Sequence, residues 1–240
     1  MSQAMITFAL PKGRLFAVAR SLLQDAGLMQ GSMEDGGRRL ISVDEEAGLR
    51  YLICRAADVP TFVENGAADL GIAGKDVLLE QGKEICELLD LQAGACRFVV
   101  AVPADRRQDF ENGLSGFVAR YGQLRVATKF PRVAQSYLYS QGLPGEIIKL
   151  SGNVELAPLV GLAEVIIDLV SSGRTLKENN LVAVAEITGA TARLVANRVA
   201  YRLKYERLAG IVAAIKMVVS GPKGGRFDER PDGKREQDDG

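Results

Sequence analysis

Short apolar runs recur along this chain, and each hands over to a stretch whose apolar residues return every three or four positions. MITFALP, residues 5–11, leads through Lys12-Gly13-Arg14 into LFAVARSLLQDAGL. There Leu15, Val18, Leu22 and Leu23 share a helical face, and Gly27 stands where a C-cap is expected. LRYLICRA, DLGIAG, RFVVAVP, LRVATKF, EIIKLSG, VIIDLV and LVAVAEIT read as further strands. DVPTFVENGA, KDVLLEQG, VAQSYLYSQGL and VELAPLVGLA read as helices, the first with Asp58 as N-cap and Pro60 in its opening turn. A longer helix is predicted over 191–219. Strands that alternate with helices imply α/β architecture with mostly parallel sheets. The pattern restarts near residue 97, so two lobes are expected. Residues 1–97 with 190–219 would form the first and 98–189 the second. The polar, glycine-rich segment 220–240 is expected to be a disordered tail.

Composition narrows the chemistry. Lys and Arg number 30 and Asp and Glu number 30, so net charge gives no reason to expect a nucleic-acid partner. Histidine is absent, which excludes serine–histidine and cysteine–histidine catalysis and argues against a zinc site. The three cysteines, Cys54, Cys86 and Cys96, are widely spaced and form no disulfide framework or metal signature. No apolar run is long enough to span a bilayer, and the N-terminus has no signal-peptide pattern. A cytoplasmic location away from the membrane is expected.

The chemistry that remains belongs to carboxylates, cations, backbone amides or a bound metal. In VIIDLVSSGRTL, residues 165–176, an apolar strand carries Asp168 to its carboxyl end, the ligand edge of an open α/β sheet. Ser171, Ser172, Gly173, Arg174 and Thr175 follow and can turn amides and hydroxyls toward an anion such as a phosphate monoester. Asp168 then suits sugar hydroxyls or a hydrated divalent cation. A plain strand-to-helix turn capped by serine and threonine explains the same residues equally well. Lys12 and Arg14 flank Gly13 at the start of the first helix, where cations oppose the helix dipole unless an anion sits there. Arg38 beside Arg39, Arg55 and Lys75 after strands, Glu155 in GNVELAP, and Thr128 with Lys129 also fit ligand contacts. Surface charge, turn chemistry and helix capping account for each of them as well.

The block ELAPLVGLAEVIIDLVSSGRTL, residues 155–176, resembles the signature of the ATP phosphoribosyltransferases, which open histidine biosynthesis. LPKGRL, RAADVPTFVENGAADLGIAGKDVL, LLDLQAGACR, RVATKFP and EIIKLSGNVELAPLVGL follow the family's order, covering residues 5–215. The resemblance implies two lobes like a type II periplasmic binding protein, with the active site in the interlobe cleft. It implies condensation of ATP with 5-phosphoribosyl 1-pyrophosphate, giving N1-(5-phosphoribosyl)-ATP and pyrophosphate. Mg2+ is implied as cofactor, held mainly by substrate phosphates. By position, Ser171, Ser172, Gly173, Arg174 and Thr175 would cradle the donor's 5-phosphate, and Glu155 and Asp168 would face ribose or metal. Some relatives are acidic where this chain has Ser171. Lys12, Arg14 and Arg38 would act catalytically on the pyrophosphate and triphosphate groups, with Arg55 and Lys129 as further substrate contacts. The length resembles the family's short form, which implies a regulatory subunit resembling histidyl-tRNA synthetase in a hetero-octamer. The competing reading is a non-catalytic solute-binding protein of the same bilobal fold.

Overall fold

The computed structural model describes residues 5–30 and 40–221. Arg38, Arg39 and the tail from residue 222 lie outside the described residues. The strands along the chain begin with β1 (Ile6–Pro11), β2 (Ile41–Asp44), β3 (Leu49–Cys54), β4 (Leu70–Gly74) and β5 (Ile85–Asp90). They continue with β6 (Cys96–Pro103), β7 (Arg125–Thr128), β8 (Glu146–Lys149), β9 (Val165–Val170), β10 (Leu181–Ala190) and β11 (Ala192–Asn197). The helices are α1 (Arg14–Asp25), α2 (Val59–Glu64), α3 (Lys75–Gln81), α4 (Gly113–Tyr121) and α5 (Pro131–Ser140). The short α6 (Leu156–Leu159), α7 (Arg174–Glu178) and α8 (Arg198–Leu203) precede α9 (Tyr205–Ser220).

These elements form two compact units. The first draws on Met1–Ala73, Ile85–Gly94 and Ala192–Gly240, and the second on Gly74–Glu84 and Ala95–Thr191. The division departs from the expected boundary chiefly in Gly74–Glu84, expected with the first lobe but clustering with the second, as do residues 95–97 and 190–191. The reason is local. Glu80 of α3 accepts the backbone amides of Arg132 and Val133 at the start of α5.

The first unit's sheet runs β2-β3-β1-β4-β11-β5. Its strand β1 is buried at every position, because it pairs with β3 and β4 in parallel and is covered on both faces. Ile6, Phe8 and Leu10 pack with Leu22 and Leu23 of α1 and with Leu208, Ile211 and Ile215 of α9. Each such side chain contributes about 1.5–3 kcal/mol by leaving water. Gly27 follows α1 with φ of 67°, the left-handed turn that a C-cap glycine supplies. Asp58 holds the N-cap position of α2, as expected, but it also ends a 3-10 turn, Ala56–Asp58, and its side chain makes no capping bond. Pro60 does sit in the opening turn of α2.

The second unit's sheet runs β10-β6-β9-β7-β8. Here the expectation of mostly parallel sheets needs amending, since both sheets are mixed. Parallel pairing holds at β3-β1-β4 and at β8-β7-β9. The pairs β2–β3, β5–β11, β6–β9 and β6–β10 are antiparallel. The helix predicted over 191–219 is also corrected: its opening residues, Ala192–Asn197, are strand β11. Leu194 and Ala196 are buried in the core, and β11 fills the slot between β4 and β5, so sheet pairing overrides helical propensity. Asn197 then caps α8 by accepting the amides of Val199 and Ala200.

Candidate active site

Two parallel strands of the second unit, β7 and β8, end side by side next to β9. Thr128 at the end of β7 is in register with Lys149 of β8 and Ile167 of β9. Lys129 and Leu150 therefore leave the sheet level with Asp168, while β9 runs on to Val170, paired with β6. The apolar triple Val165–Ile167 is fully buried, while Asp168 is only partly so. Asp168 lies two residues before the end of β9 rather than at its carboxyl end, where it was expected.

A concave cavity of about 390 Å³ opens at this edge. Lys129, Asn153, Glu155, Asp168, Ser171, Ser172, Gly173 and Thr175 line it, over an apolar floor that includes Ile166 and Leu176. Burial raises the Asp168 carboxyl above its ordinary range, with Glu155 adding to the effect. The Leu169 backbone amide and the Lys129 cation oppose it. A half-buried carboxylate, a second carboxylate and an ammonium group therefore act on one another in a single pocket. Gly173 has φ of 76° and forms the N-cap of α7 without any side-chain capping bond. The left-handed turn there favours glycine, and the first-turn amides of α7 have no partner within the helix.

Arg174 belongs to the same loop but is not among the lining residues. Phe130 and Asn153 line the cavity and were not singled out from sequence. Asn153 has φ of 47°, rare for a residue with a side chain, and the Gly-Asn pair before VELAP was the available signal. Phe130 packs edge-on against Phe98 of β6, with ring centroids 4.9 Å apart.

Thr128 lies at the junction of these parts and is fully buried. Its hydroxyl donates to the Ile167 carbonyl at 2.6 Å and accepts the Phe130 amide at 2.9 Å. At the other end of β7, Glu164 accepts the Arg125 amide at 2.7 Å and the Arg125 Nε at 3.0 Å. This clamp holds the start of β7 to the turn that enters β9.

The other predicted residues fall in the first unit. Pro11 and Cys54 are paired in the β1–β3 ladder, and the Lys12 amide donates to the Cys54 carbonyl at 2.7 Å. Lys12 and Arg55 consequently leave adjacent strands at one edge. Gly13, at φ 83° and ψ −149°, takes a conformation open essentially to glycine alone and starts α1, whose first residue is Arg14. Burial pushes the Cys54 thiol up to about 11, Asp58 adds to this and Lys12 opposes it. Cys54 is therefore a neutral thiol rather than a nucleophile.

Comparison with known proteins decides among the chemistries such a pocket allows. The ATP phosphoribosyltransferase family model matches residues 55–217. The chain belongs to the ATP phosphoribosyltransferase family.

An ATP phosphoribosyltransferase from Moorella thermoacetica is 56% identical over 212 residues, covering 88% of this chain and 92% of that protein. One from Desulfitobacterium hafniense is 47% identical, covering 91% and 98%. Among solved structures, the ATP phosphoribosyl transferase (HisG:HisZ) complex from Thermotoga maritima superposes with a TM-score of 0.72. It is 34% identical and covers 90% of this chain and 98% of that one. A histidine kinase sensor domain with similarity to periplasmic binding proteins matches at a TM-score of 0.55 and 12% identity, a likeness of fold alone. As in the sequence reading, the bilobal binding-protein architecture is shared, but the residue-level match is to ATP phosphoribosyltransferases. The family match takes in Arg55, Lys129, Glu155, Asp168 and the Ser171–Thr175 loop, while Lys12, Arg14 and Arg38 precede it.

Proposed function

We propose that this chain transfers the 5-phosphoribosyl group of phosphoribosyl pyrophosphate to N1 of ATP, the first step of histidine biosynthesis. The observation that carries this at the level of residues is the second-unit cavity. It gathers Lys129, Glu155, Asp168 and the Ser171–Gly173 loop with Thr175 within about 390 Å³. In this reading the loop hydroxyls and the first-turn amides of α7 hold the 5-phosphate, and Glu155 and Asp168 accept from the ribose hydroxyls. Lys12 and Arg14, with Arg38 and Arg55, bind the pyrophosphate and triphosphate groups. Adenine N1 already carries its lone pair, so the reaction needs no strong base, in keeping with a chain that lacks histidine. The barrier lies in charge separation between an oxocarbenium-like ribose and departing pyrophosphate. Fixed cations that meet the charge as it develops lower that barrier. Holding nucleophile and leaving group in line contributes further and inverts C1.

The acidic groups fit a Mg2+ ion shared with substrate. Among the described residues no group of three or more acidic, cysteine or histidine side chains could form an all-protein cage. Asp168 and Glu155 instead offer two carboxylates on one cavity, the donor set Mg2+ accepts when substrate oxygens and water complete its shell. When bound, the ion would supply charge neutralisation on the leaving pyrophosphate. Since Ser171 is neutral, Glu155 and Asp168 carry that contact.

We further propose a regulatory partner resembling histidyl-tRNA synthetase in a hetero-octamer, as the Thermotoga maritima complex of HisG with HisZ supports. Native mass with and without such a subunit tests this. No helix among the described residues is long and apolar enough to cross a membrane, and three cysteines outside any disulfide suit a cytoplasmic location. The decisive assay is pyrophosphate release from phosphoribosyl pyrophosphate with Mg2+ and either ATP or free adenine. ATP is the expected acceptor. Preference for the free base, or tight donor binding with no turnover even with the regulatory subunit present, would overturn the proposal.

A further inference from the structure

Among the described residues Thr128 is the one polar side chain on the pocket's sheet edge that is fully buried, and its hydroxyl and carbonyl are committed to different parts of the site. Its hydroxyl proton goes to the Ile167 carbonyl, the group immediately before Asp168. The hydroxyl oxygen accepts the amide of Phe130, the residue immediately after Lys129. Its own carbonyl accepts the Leu150 amide at 2.9 Å, at the start of the segment that carries Asn153 and Glu155. Three neighbouring segments that carry lining residues of the cavity are thus tied to one residue.

We propose that Thr128 is a positioning residue of the donor site, fixing the spacing of the Lys129 ammonium and the Asp168 carboxylate through its hydroxyl. The inference rests on the reading of this cavity as the phosphoribosyl pyrophosphate site. Thr128 is fully buried and is not among the residues that line the cavity, so it acts through its neighbours. Its action is on the two backbones: the bond to Ile167 fixes β7 against β9 just before Asp168, and the bond to Phe130 sets where the chain turns after Lys129. Past Ile167, β9 is held on its other side by β6, with Asp168 in register with Val99, while β7 has ended. The hydroxyl is therefore what ties the chain carrying Lys129 to the strand carrying Asp168 at the ladder's last pair. Misplacing a binding group by about 1 Å is enough to cost roughly 100-fold in rate.

The test compares Thr128→Val, which keeps the shape and removes the hydroxyl, with Thr128→Ser, which keeps the hydroxyl. We expect Thr128→Val to raise the KM for phosphoribosyl pyrophosphate about tenfold or more, the size of losing one or two buried hydrogen bonds. The KM for ATP should change far less, and Thr128→Ser should restore the donor KM to within about twofold, well under one lost hydrogen bond. A purely structural role would lower the melting temperature while leaving both KM values and their ratio alone. If Thr128→Val does not fold, Thr128→Cys, whose thiol is a weak partner, is read against Thr128→Ser by the same ratio. Lys129→Ala and Asp168→Asn serve as the control for the underlying reading. If both leave the donor KM unchanged, the cavity is not the donor site. If they raise it while Thr128→Val and Thr128→Cys stay at the parent value, the site stands and the positioning role of Thr128 falls.

Discussion

Asp168 carries a conflict between stability and function. Burial raises its carboxyl, so the folded chain holds that proton more tightly than the unfolded chain. Stability therefore falls as pH rises from the unfolded value to the raised folded value, and above the folded value the cost of burying the charge is fully present. We expect Asp168→Asn to melt at a higher temperature than the parent at pH 7. The gap should close in thermal scans taken below about pH 3.9, the ordinary aspartate value, where the parent is itself neutral. The same substitution should lower kcat/KM for phosphoribosyl pyrophosphate by roughly 10- to 100-fold, the worth of one hydrogen bond to a charged group. Thr175→Ala should weaken donor binding with little effect on melting, because Thr175 is exposed and lines the cavity. An unchanged donor Kd would count against the phosphate cradle. At this scale much was legible in the sequence: Asp168, Glu155, Lys129 and the serine–glycine loop do line one pocket. Phe130 and Asn153 were not, because their presence follows from where β7 and β8 end relative to β9. One-dimensional spacing does not encode that.

Among the elements, the Arg125–Glu164 clamp decides how firmly β7 is held to β9. Burial acts to raise the Glu164 carboxyl, but the Arg125 side-chain and backbone hydrogen bonds outweigh it and hold it below the ordinary range. The stabilisation is therefore present above the unfolded value and is lost as pH falls through the depressed folded value. Glu164→Gln should cost about 1.5–3 kcal/mol in urea unfolding at neutral pH. The difference from the parent should shrink once acid protonates Glu164. The strands β1, β3, β4, β6, β7, β8, β9 and β10 could be read from sequence because each is a compact apolar run with a turn or helix after it. Strand β11 could not. TARLVAN continues directly into α8 and α9, and its Val195 stands four residues before Val199 and eight before Leu203, so it also fits a helical stripe. Only the open slot between β4 and β5 selects the extended form. The short edge strand β2 and helix α4 were missed for the converse reason, since neither buries a regular apolar face long enough to register as a period.

Across the whole chain, the first unit is closed by contacts between residues far apart in sequence. Asp69, largely buried at the start of β4, accepts the Thr7 amide at 2.9 Å and the Lys204 ammonium at 2.8 Å. Lys204 donates as well to the Met5 carbonyl. This clasp joins the first strand, a central strand and the α8–α9 junction. Lys204→Met should destabilise the protein by about 3 kcal/mol in urea unfolding, because it strands a buried carboxylate. Adding Asp69→Asn should recover part of the loss. A double variant no more stable than Lys204→Met would show that the charge at Asp69 is not the source.

The threading of the chain has a consequence for how the protein is made. It passes between units after Ala73, Glu84, Gly94 and Thr191, and β11 must enter between β4 and β5. On the ribosome, all of the second unit emerges while the first still has a vacant groove in its sheet. At about 5–20 residues per second, the segment after Thr191 takes on the order of several seconds to appear. During that interval β4 and β5 display bare edges, the part of the nascent chain most open to mispairing and most in need of a chaperone. The last strand among the described residues to be translated is the keystone of the first sheet.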